Sequence, residues 1–437
     1  MGNDEATLTP QPALAGTGPQ TQRSKRKSLL ASTVGNVMEW YEWSAYAVFA
    51  PFIAAAMFNS GDPVSALLST LAVFAVGFLM RPLGGIVFGR IADRRGRKFV
   101  LVTTMLTMAA GSLVIGLMPT YASIGAWASL ILLLCRVAQG FAHGGESATA
   151  NTYVAEIAPN DRRGMWGSIV FVAIFGGSVI AYTVGGAVTS VLSESAVAQW
   201  GWRIPFLLGA LLAVAALYLR RNMDESEVFE QHDSATDSAP MPRAKIVRGI
   251  VLVVAMTSGI TAAHYTWTSY VSTYAITEQG MEAGAAYWAT VAAQIIALAT
   301  LPFWGRLSDQ VGRRPLMIGF AVAMTILQIP LLGLIGSSGW TLLLASAIAL
   351  MIVAIPGALL SATMSENFPT RVRTQAIGFA YSISVAVFGG TAPYLNQLLI
   401  GVGVGWMSSV YIMLLCVCTG VAVYLMPETK GIDLKDA

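Results

Sequence analysis

The chain has 437 residues, of which 55% are hydrophobic and 11% charged, with a mean hydropathy of +0.64. A soluble domain of this length cannot bury so much apolar surface, so the composition excludes one. The net charge of +3 becomes informative only when it is mapped along the chain.

Residues 1–22 are polar, rich in Pro, Thr, Gln and Gly, and lack a basic-then-apolar signal pattern. They read as a disordered tail, and 1–28 is set apart as a cytoplasmic N-terminal segment. Twelve apolar runs follow, each long enough to cross a hydrocarbon core ~30 Å thick. They cover 29–58, 64–91, 99–118, 123–157, 166–191, 203–221, 246–277, 284–307, 315–335, 338–367, 374–400 and 405–426. The longer ones predict tilted helices or helices that project beyond the bilayer. Because lipid cannot satisfy an open backbone, the expected fold is an all-α membrane protein of twelve transmembrane helices. The hydrophilic stretch 222–245 divides it into six-helix halves, 29–221 and 246–426, leaving 427–437 as a cytoplasmic tail. Cys135, Cys416 and Cys418 all lie inside apolar runs, which points to packing rather than a disulfide framework.

Of the 26 Lys and Arg, all but Arg81, Arg136 and Arg203 fall in segments on one side of the predicted spans. This bias places both termini in the cytoplasm of a multi-pass protein of the cell inner membrane. It also accounts for the Arg23–Lys27 cluster, which is read as a topology signal and not as a nucleic-acid site.

The halves repeat each other. GRIADRRGRK from Gly89 is echoed by GRLSDQVGRR 216 residues later, and EIAPNDRRG from Glu156 by ENFPTRVR 210 residues later. Two motif pairs at nearly one offset predict two pseudo-symmetric halves enclosing a site near the midplane. In the repeated hairpins, Asp93 and Asp309 with Arg97 and Arg313 are candidates for a charge cluster that holds an inner gate shut.

The G-x3-D-x2-G-R repeat and R-x2-Q-G from Arg136 to Gly140 resemble the major facilitator superfamily. GNVMEWYEW (35–43), FLMRPLGG (78–85), RVAQGFAHGGE (136–146), QWGWRIPF (199–206) and FGGTAP (388–393) resemble, within it, the metabolite–proton symporter family and its alpha-ketoglutarate permease group. The resemblance runs from about residue 30 to residue 430. It implies the major facilitator fold, transport by alternating access, and no enzymatic activity. The family carries dicarboxylates, citrate, shikimate and zwitterions such as proline and betaine. This chain departs from the pattern at Glu42-Trp43-Ser44, where Asp-Phe-Tyr is usual, and at His143, where the position is usually apolar or small. PETKG (427–431) and MDES (223–226) resemble elements of sugar porters and sit at cytoplasmic ends.

The spacing of GNVMEWYEWSAY puts Asn36, Glu39, Glu42, Trp43 and Tyr46 on one stripe of the first helix. An ionised group at mid-bilayer costs roughly 2.5–3.5 kcal/mol, so such groups are paired and functional. Counting residues from the helix ends puts Glu39, Arg81 and Glu146 at one depth. The readings open for them are a structural ion pair and a proton or substrate site. Arg81 is the candidate clamp for a substrate carboxylate, since guanidinium gives a planar two-point contact. Glu39 or Glu42 is the candidate proton carrier. Arg136 lies in the motif that the resemblance links to proton transfer, with Glu146 as its in-helix carboxylate and His143 one turn away. Arg203 is read as a loop anchor or an outer substrate contact. From the second half, His264, Trp267, Tyr270 and Tyr274 form an aromatic stripe, read as packing or as a binding wall. Tyr381, Asn396 and Gln397 are weaker candidates, and VFGG (387–390) reads as a flexible or close-packed point.

No nucleotide-binding motif is present, so the energy source is expected to be a proton gradient, with no cofactor and no metal. The expected function is proton-coupled import of a small organic anion, foremost a dicarboxylate such as 2-oxoglutarate, by a monomer embedded in lipid. The alternatives are symport of a zwitterionic osmolyte, with Trp43 and Trp267 supplying cation–π contacts, symport of a hydroaromatic acid, and proton-coupled export. IFGGSVIAYTVGG, which lacks a Gly-Pro element, weighs against export.

Overall fold

The computed structural model describes residues 22–59, 61–95, 97–144, 154–155, 158–221, 243–368 and 370–434. Among these residues every regular element is helical, and the helices make twelve crossings. In the first half they are α1 (Gln22–Val48, continued by Ala50–Met57), α2 (Pro63–Leu79, continued by Arg81–Arg95), α3 (Arg97–Leu117), α4 (Ala126–His143), α5 (Arg163–Val191) and α6 (Ile204–Arg221). The second half holds α7 (Arg243–Tyr265, Thr266–Tyr270, Val271–Thr277), α8 (Ala283–Val311), α9 (Arg313–Gly333), α10 (Gly339–Glu366), α11 (Thr370–Ser384, Val385–Gly389, Ala392–Gly401) and α12 (Trp406–Leu425). Nine helical stretches among the described residues are each long and apolar enough to span a membrane alone.

α1 begins at Gln22, several residues before the apolar run, so the basic cluster Arg23–Lys27 is helical and not part of a loose tail. QRSKRK contains no helix breaker, and a helix anchored in apolar surroundings extends through such residues readily.

Two turns of π-helix interrupt facing helices, at Thr266–Tyr270 in α7 and Val385–Gly389 in α11. Each inserts a residue into the helical register, so side chains spaced for one stripe diverge. VFGG is a close-packed point: a methyl at Gly389 would meet the Tyr265 ring, and one at Gly390 the Phe78 side chain.

The halves meet along α1 with α7, α2 with α11, and α5 with α8 and α10. They touch at both faces of the bundle. On the face carrying the basic hairpins, the backbones of Gly164 and Gly305 approach so closely that neither position has room for a side chain. On the opposite face, the Tyr287 hydroxyl donates to the Val48 carbonyl at 2.6 Å and Trp288 Nε1 to Ser190 Oγ at 3.1 Å.

Candidate functional site

The site begins with glycines. A methyl at Gly140 would overlap the carbonyl of Gly77, and one at Gly144 that of Arg81. The R-x2-Q-G-x3-G spacing of α4 therefore brings its backbone directly against α2. α2 pauses at Met80 and resumes at Arg81, with Pro82 in the first turn, where its missing N–H costs little. These two features bring Arg81 and Arg136 to one aromatic ring.

That ring is Trp43. The Arg81 Cζ lies 4.4 Å from its centroid and the Arg136 Cζ 4.0 Å. Arg81 also stands 3.7 Å from Phe78, and Arg136 4.4 Å from Tyr46. Both guanidinium groups are buried, and ring contacts of this kind stabilise a desolvated cation by about 2 kcal/mol each. Nε and Nη2 of Arg136 have no hydrogen-bond partner among the described residues, and Arg81 has only a weak contact with the Tyr265 hydroxyl.

Each carboxylate of α1 has its own arrangement. Glu39 lies 3.3 Å from Nδ1 of His143 and interacts electrostatically with Arg81. Glu42 is turned into the first half, where it accepts the Ser112 hydroxyl. Ser112 Oγ in turn accepts from Gln139 Nε2 at 3.0 Å, and Gln139 Oε1 accepts from Arg136 Nη1 at 3.0 Å. A continuous polar chain thus links Arg136 to Glu42 across α4, α3 and α1.

The second half presents aromatic groups. Tyr265 and Tyr381 lie within electrostatic reach of Arg81, while the Tyr265 hydroxyl forms no hydrogen bond of good geometry. Trp40 bridges the halves, its ring centroid 6.5 Å from His143, 6.0 Å from His264 and 5.9 Å from Tyr265. His264 is further enclosed by Phe171 and Phe175.

Arg81, Glu39, Glu42, Trp43, Arg136 and His143 are brought together, with His264 and Tyr381 across the seam. Tyr46 keeps its ring on Arg136 but turns its hydroxyl away, and other sequence candidates go elsewhere. Asn36 reaches the Val170 carbonyl at 3.5 Å, between α1 and α5. The Tyr46 hydroxyl donates to the Thr70 carbonyl at 3.0 Å. The π-turn separates Trp267, which donates to Gln328 at 3.0 Å, from Tyr270, which donates to Gln397 at 2.7 Å. Asn396 donates to Thr266 Oγ1 at 3.0 Å. Arg203 lies on the face away from the hairpins, donating to the carbonyls of Gln199 and Met118 at 2.8 and 3.1 Å. Glu146 and the side chains of Asp93 and Arg97 lie outside the described residues.

Trp40, Phe78, Ser112, Gln139 and Tyr265 were not singled out from the sequence. Gln139 was legible inside the R-x2-Q-G motif. Trp40 sits one residue off the charged stripe, and nothing local marks it.

On the basic face, Asp309 accepts from the backbone N–H of Gly164 at 2.8 Å and of Met165 at 3.0 Å, capping the start of α5. Arg313 donates to Asp309 at 2.7 Å and to both oxygens of Glu366 at 3.2 and 3.3 Å. Arg163 donates to Glu366 at 3.0 Å from the other half. The C-terminal segment joins this cluster. Thr429 donates to Glu366 at 2.6 Å, and Arg163 donates to the Ile432 carbonyl at 3.1 Å. Glu428 accepts from the backbone N–H of Arg313 at 2.9 Å and of Arg314 at 3.0 Å. Gly312 makes that approach possible: its φ is 106°, and a Cβ there would meet the Glu428 carboxylate.

Two six-helix halves, buried charge at their seam, and contacts between them at both faces define a membrane transporter of small molecules, not an enzyme. The chain belongs to the Major Facilitator Superfamily, whose model matches residues 33–393 and 279–433. It is 36% identical over 433 residues to an alpha-ketoglutarate permease of Escherichia coli K12, covering 99% of both chains. It is 37% identical to the ectoine/proline transporter ProP of Corynebacterium glutamicum, covering 93% of this chain and 84% of the relative. To the proline/betaine transporter of Escherichia coli K12 it is 32% identical, covering 94% and 85%. Among solved structures, a partially occluded, inward-open xylose transporter XylE of E. coli superposes with a TM-score of 0.75 at 19% identity, covering 94% of this chain and 100% of the other, which shows the shared fold.

Proposed function

We propose that this transporter imports a small organic anion, foremost a dicarboxylate such as 2-oxoglutarate, together with a proton. One observation carries the reading. Two buried guanidinium groups, Arg81 and Arg136, share the Trp43 ring, and their Nε and Nη2 groups make no hydrogen bond of good geometry among the described residues. A substrate carboxylate would meet the planar fork of Arg81, with the Tyr265 hydroxyl as neighbour. With Glu39 and Glu42 both ionised, they match the two guanidinium charges. Protonating Glu42 leaves one positive charge uncompensated, so anion binding and proton binding favour each other. On this reading the hairpin face is cytoplasmic, and the Asp309–Arg313–Glu366–Arg163 cluster is the inner gate.

A second reading, a zwitterionic osmolyte, draws on the relatives that carry proline, betaine or ectoine. It also draws on the aromatic seam of Trp40, Tyr265 and His264, where an ammonium group would find π-faces. Thermal-shift titration with 2-oxoglutarate, succinate, citrate, shikimate, proline and glycine betaine tests both. Stabilisation by dicarboxylates alone supports the first reading, a betaine or proline response in their place the second, and a response to neutral sugars alone overturns both.

A further inference from the structure

Inside the first half, a cavity of about 30 Å³ lies among α1, α3, α4 and α6. That is room for about two water molecules. Its wall carries Glu39 and Glu42 from α1, Thr104 from α3, His143 from α4 and Gly209 from α6. This cavity is lined by the first half alone, and it adjoins the seam through Glu39 and His143.

The two carboxylates meet this space in different ways. The Glu39 side chain is 13% exposed and lies against His143. Glu42 is 3% exposed overall; its Oε2 holds the Ser112 hydroxyl, and its Oε1 has no hydrogen-bond partner among the described residues. A methyl at Gly209 would run into that Oε1, so the glycine lets the one unsatisfied oxygen lie directly against the α6 backbone. The titratable and charged groups around the pair are Tyr41 on α1, Arg81 on α2, and Arg136 and His143 on α4. The cavity residues from α3 and α6 are Thr104, Met105, Met108, Gly209 and Ala213, and none of them titrates.

We propose that this cavity is a hydrated proton passage joining Glu39, as the entry, to Glu42, as the store. It rests on the reading of a proton-coupled carrier and supplies its route. A proton on Glu39 passes to the adjacent water while that water, or the next, releases one to Glu42 Oε1. Glu39 is left a carboxylate against His143, Glu42 becomes a neutral acid, and the water is regenerated. His143 acts as a positioning residue that holds Glu39 at the mouth. A buried acid cut off from solvent otherwise has no path by which to load.

The test needs no transported solute. Purified protein in detergent is given a rapid pH drop, and proton uptake is followed with a pH-sensitive dye. Glu42→Gln should take up one proton fewer per molecule than the parent chain. Thr104→Val keeps the volume but removes a hydroxyl from the wall. It should bind the same number of protons about tenfold more slowly, the ~1.4 kcal/mol of one wall hydrogen bond to the passage water. Gly209→Ala, whose methyl would push Oε1 out of its place, should slow uptake likewise. Should that variant fail to fold, Thr104→Val still decides. Unchanged uptake rates in the folded wall variants would overturn the passage, and unchanged stoichiometry in Glu42→Gln would remove Glu42 as its end. Because no substrate is present, a failed search for 2-oxoglutarate transport leaves this result independent.

Discussion

Asp309 of the second half caps the first turn of α5 in the first half, accepting the N–H of Gly164 at 2.8 Å. The carboxylate of a conserved-spacing hairpin is therefore committed across the seam, where its bond breaks if the halves separate on this face. The same face holds Glu366 between Arg163 and Arg313, all three almost fully buried.

The first prediction concerns this cluster. Removing one partner of a buried charge group costs about 3–5 kcal/mol in the state that contains it. Glu366→Gln and Asp309→Asn should destabilise the closed hairpin face and leave the Arg81–Arg136 site intact. Uptake into proteoliposomes should fall about tenfold, equivalent to ~1.4 kcal/mol, while equilibrium binding of 2-oxoglutarate stays near that of the parent chain. Equal loss of binding and transport would show that the hairpins act on the site itself.

The second concerns the proton. Glu42 ends the polar chain Arg136–Gln139–Ser112–Glu42, and Glu39 stands against His143. Glu42→Gln should abolish accumulation against a gradient, while solute exchange between equal pools remains measurable. Glu39→Gln should slow gradient-driven uptake without abolishing it. If Glu42→Gln still concentrates solute under an imposed pH gradient, the proton is carried elsewhere.

Arg81→Lys supplies the third. Lysine keeps the charge but loses the planar fork and the stacking on Trp43 and Phe78. Both exchange and gradient-driven uptake should weaken, with apparent affinity falling by about tenfold or more, the scale of one charge-assisted hydrogen bond of ~1.5–3 kcal/mol. A variant with unchanged affinity would place the anion contact away from Arg81.

A pH effect on stability follows from Glu428, outside the spans. Partial burial pushes its carboxyl up, but the backbone N–H groups of Arg313, Arg314, Lys430 and Thr429 outweigh that and hold it below its ordinary value of 4.5. A group depressed on folding contributes stability that is fully present above its unfolded value and is lost as the pH falls through its folded one. The melting temperature of the parent chain should therefore exceed that of Glu428→Gln by a constant margin near neutrality, and the margin should shrink below pH 4.5. A margin that does not change with pH would mean that the carboxylate's charge contributes nothing to the cap.

The sequence alone was enough for the membrane class, the twelve crossings, the two-fold repeat and the family resemblance. These depend on hydropathy, on chain length against bilayer thickness and on motif spacing, all of which are local or periodic. The stripe on α1 was legible as well, because helical periodicity puts Glu39, Glu42 and Trp43 on one side. Depth counting put Glu39 level with Arg81, and the two do interact, but it gave no arginine for Glu42. Helix packing supplied one. Gly140 and Gly144 bring α4 against α2, so Arg136 reaches Glu42 through Gln139 and Ser112, while His143 takes Glu39. The aromatic stripe of α7 failed as a stripe for a related reason: a π-turn at Thr266–Tyr270 rotates Trp267 and Tyr270 toward different neighbours. Trp40, beside the stripe and unmarked in sequence, became the bridge between the halves. Spacing along one helix specifies which residues share a face, but which partner that face meets depends on how closely two backbones approach, and that is settled only when the bundle packs.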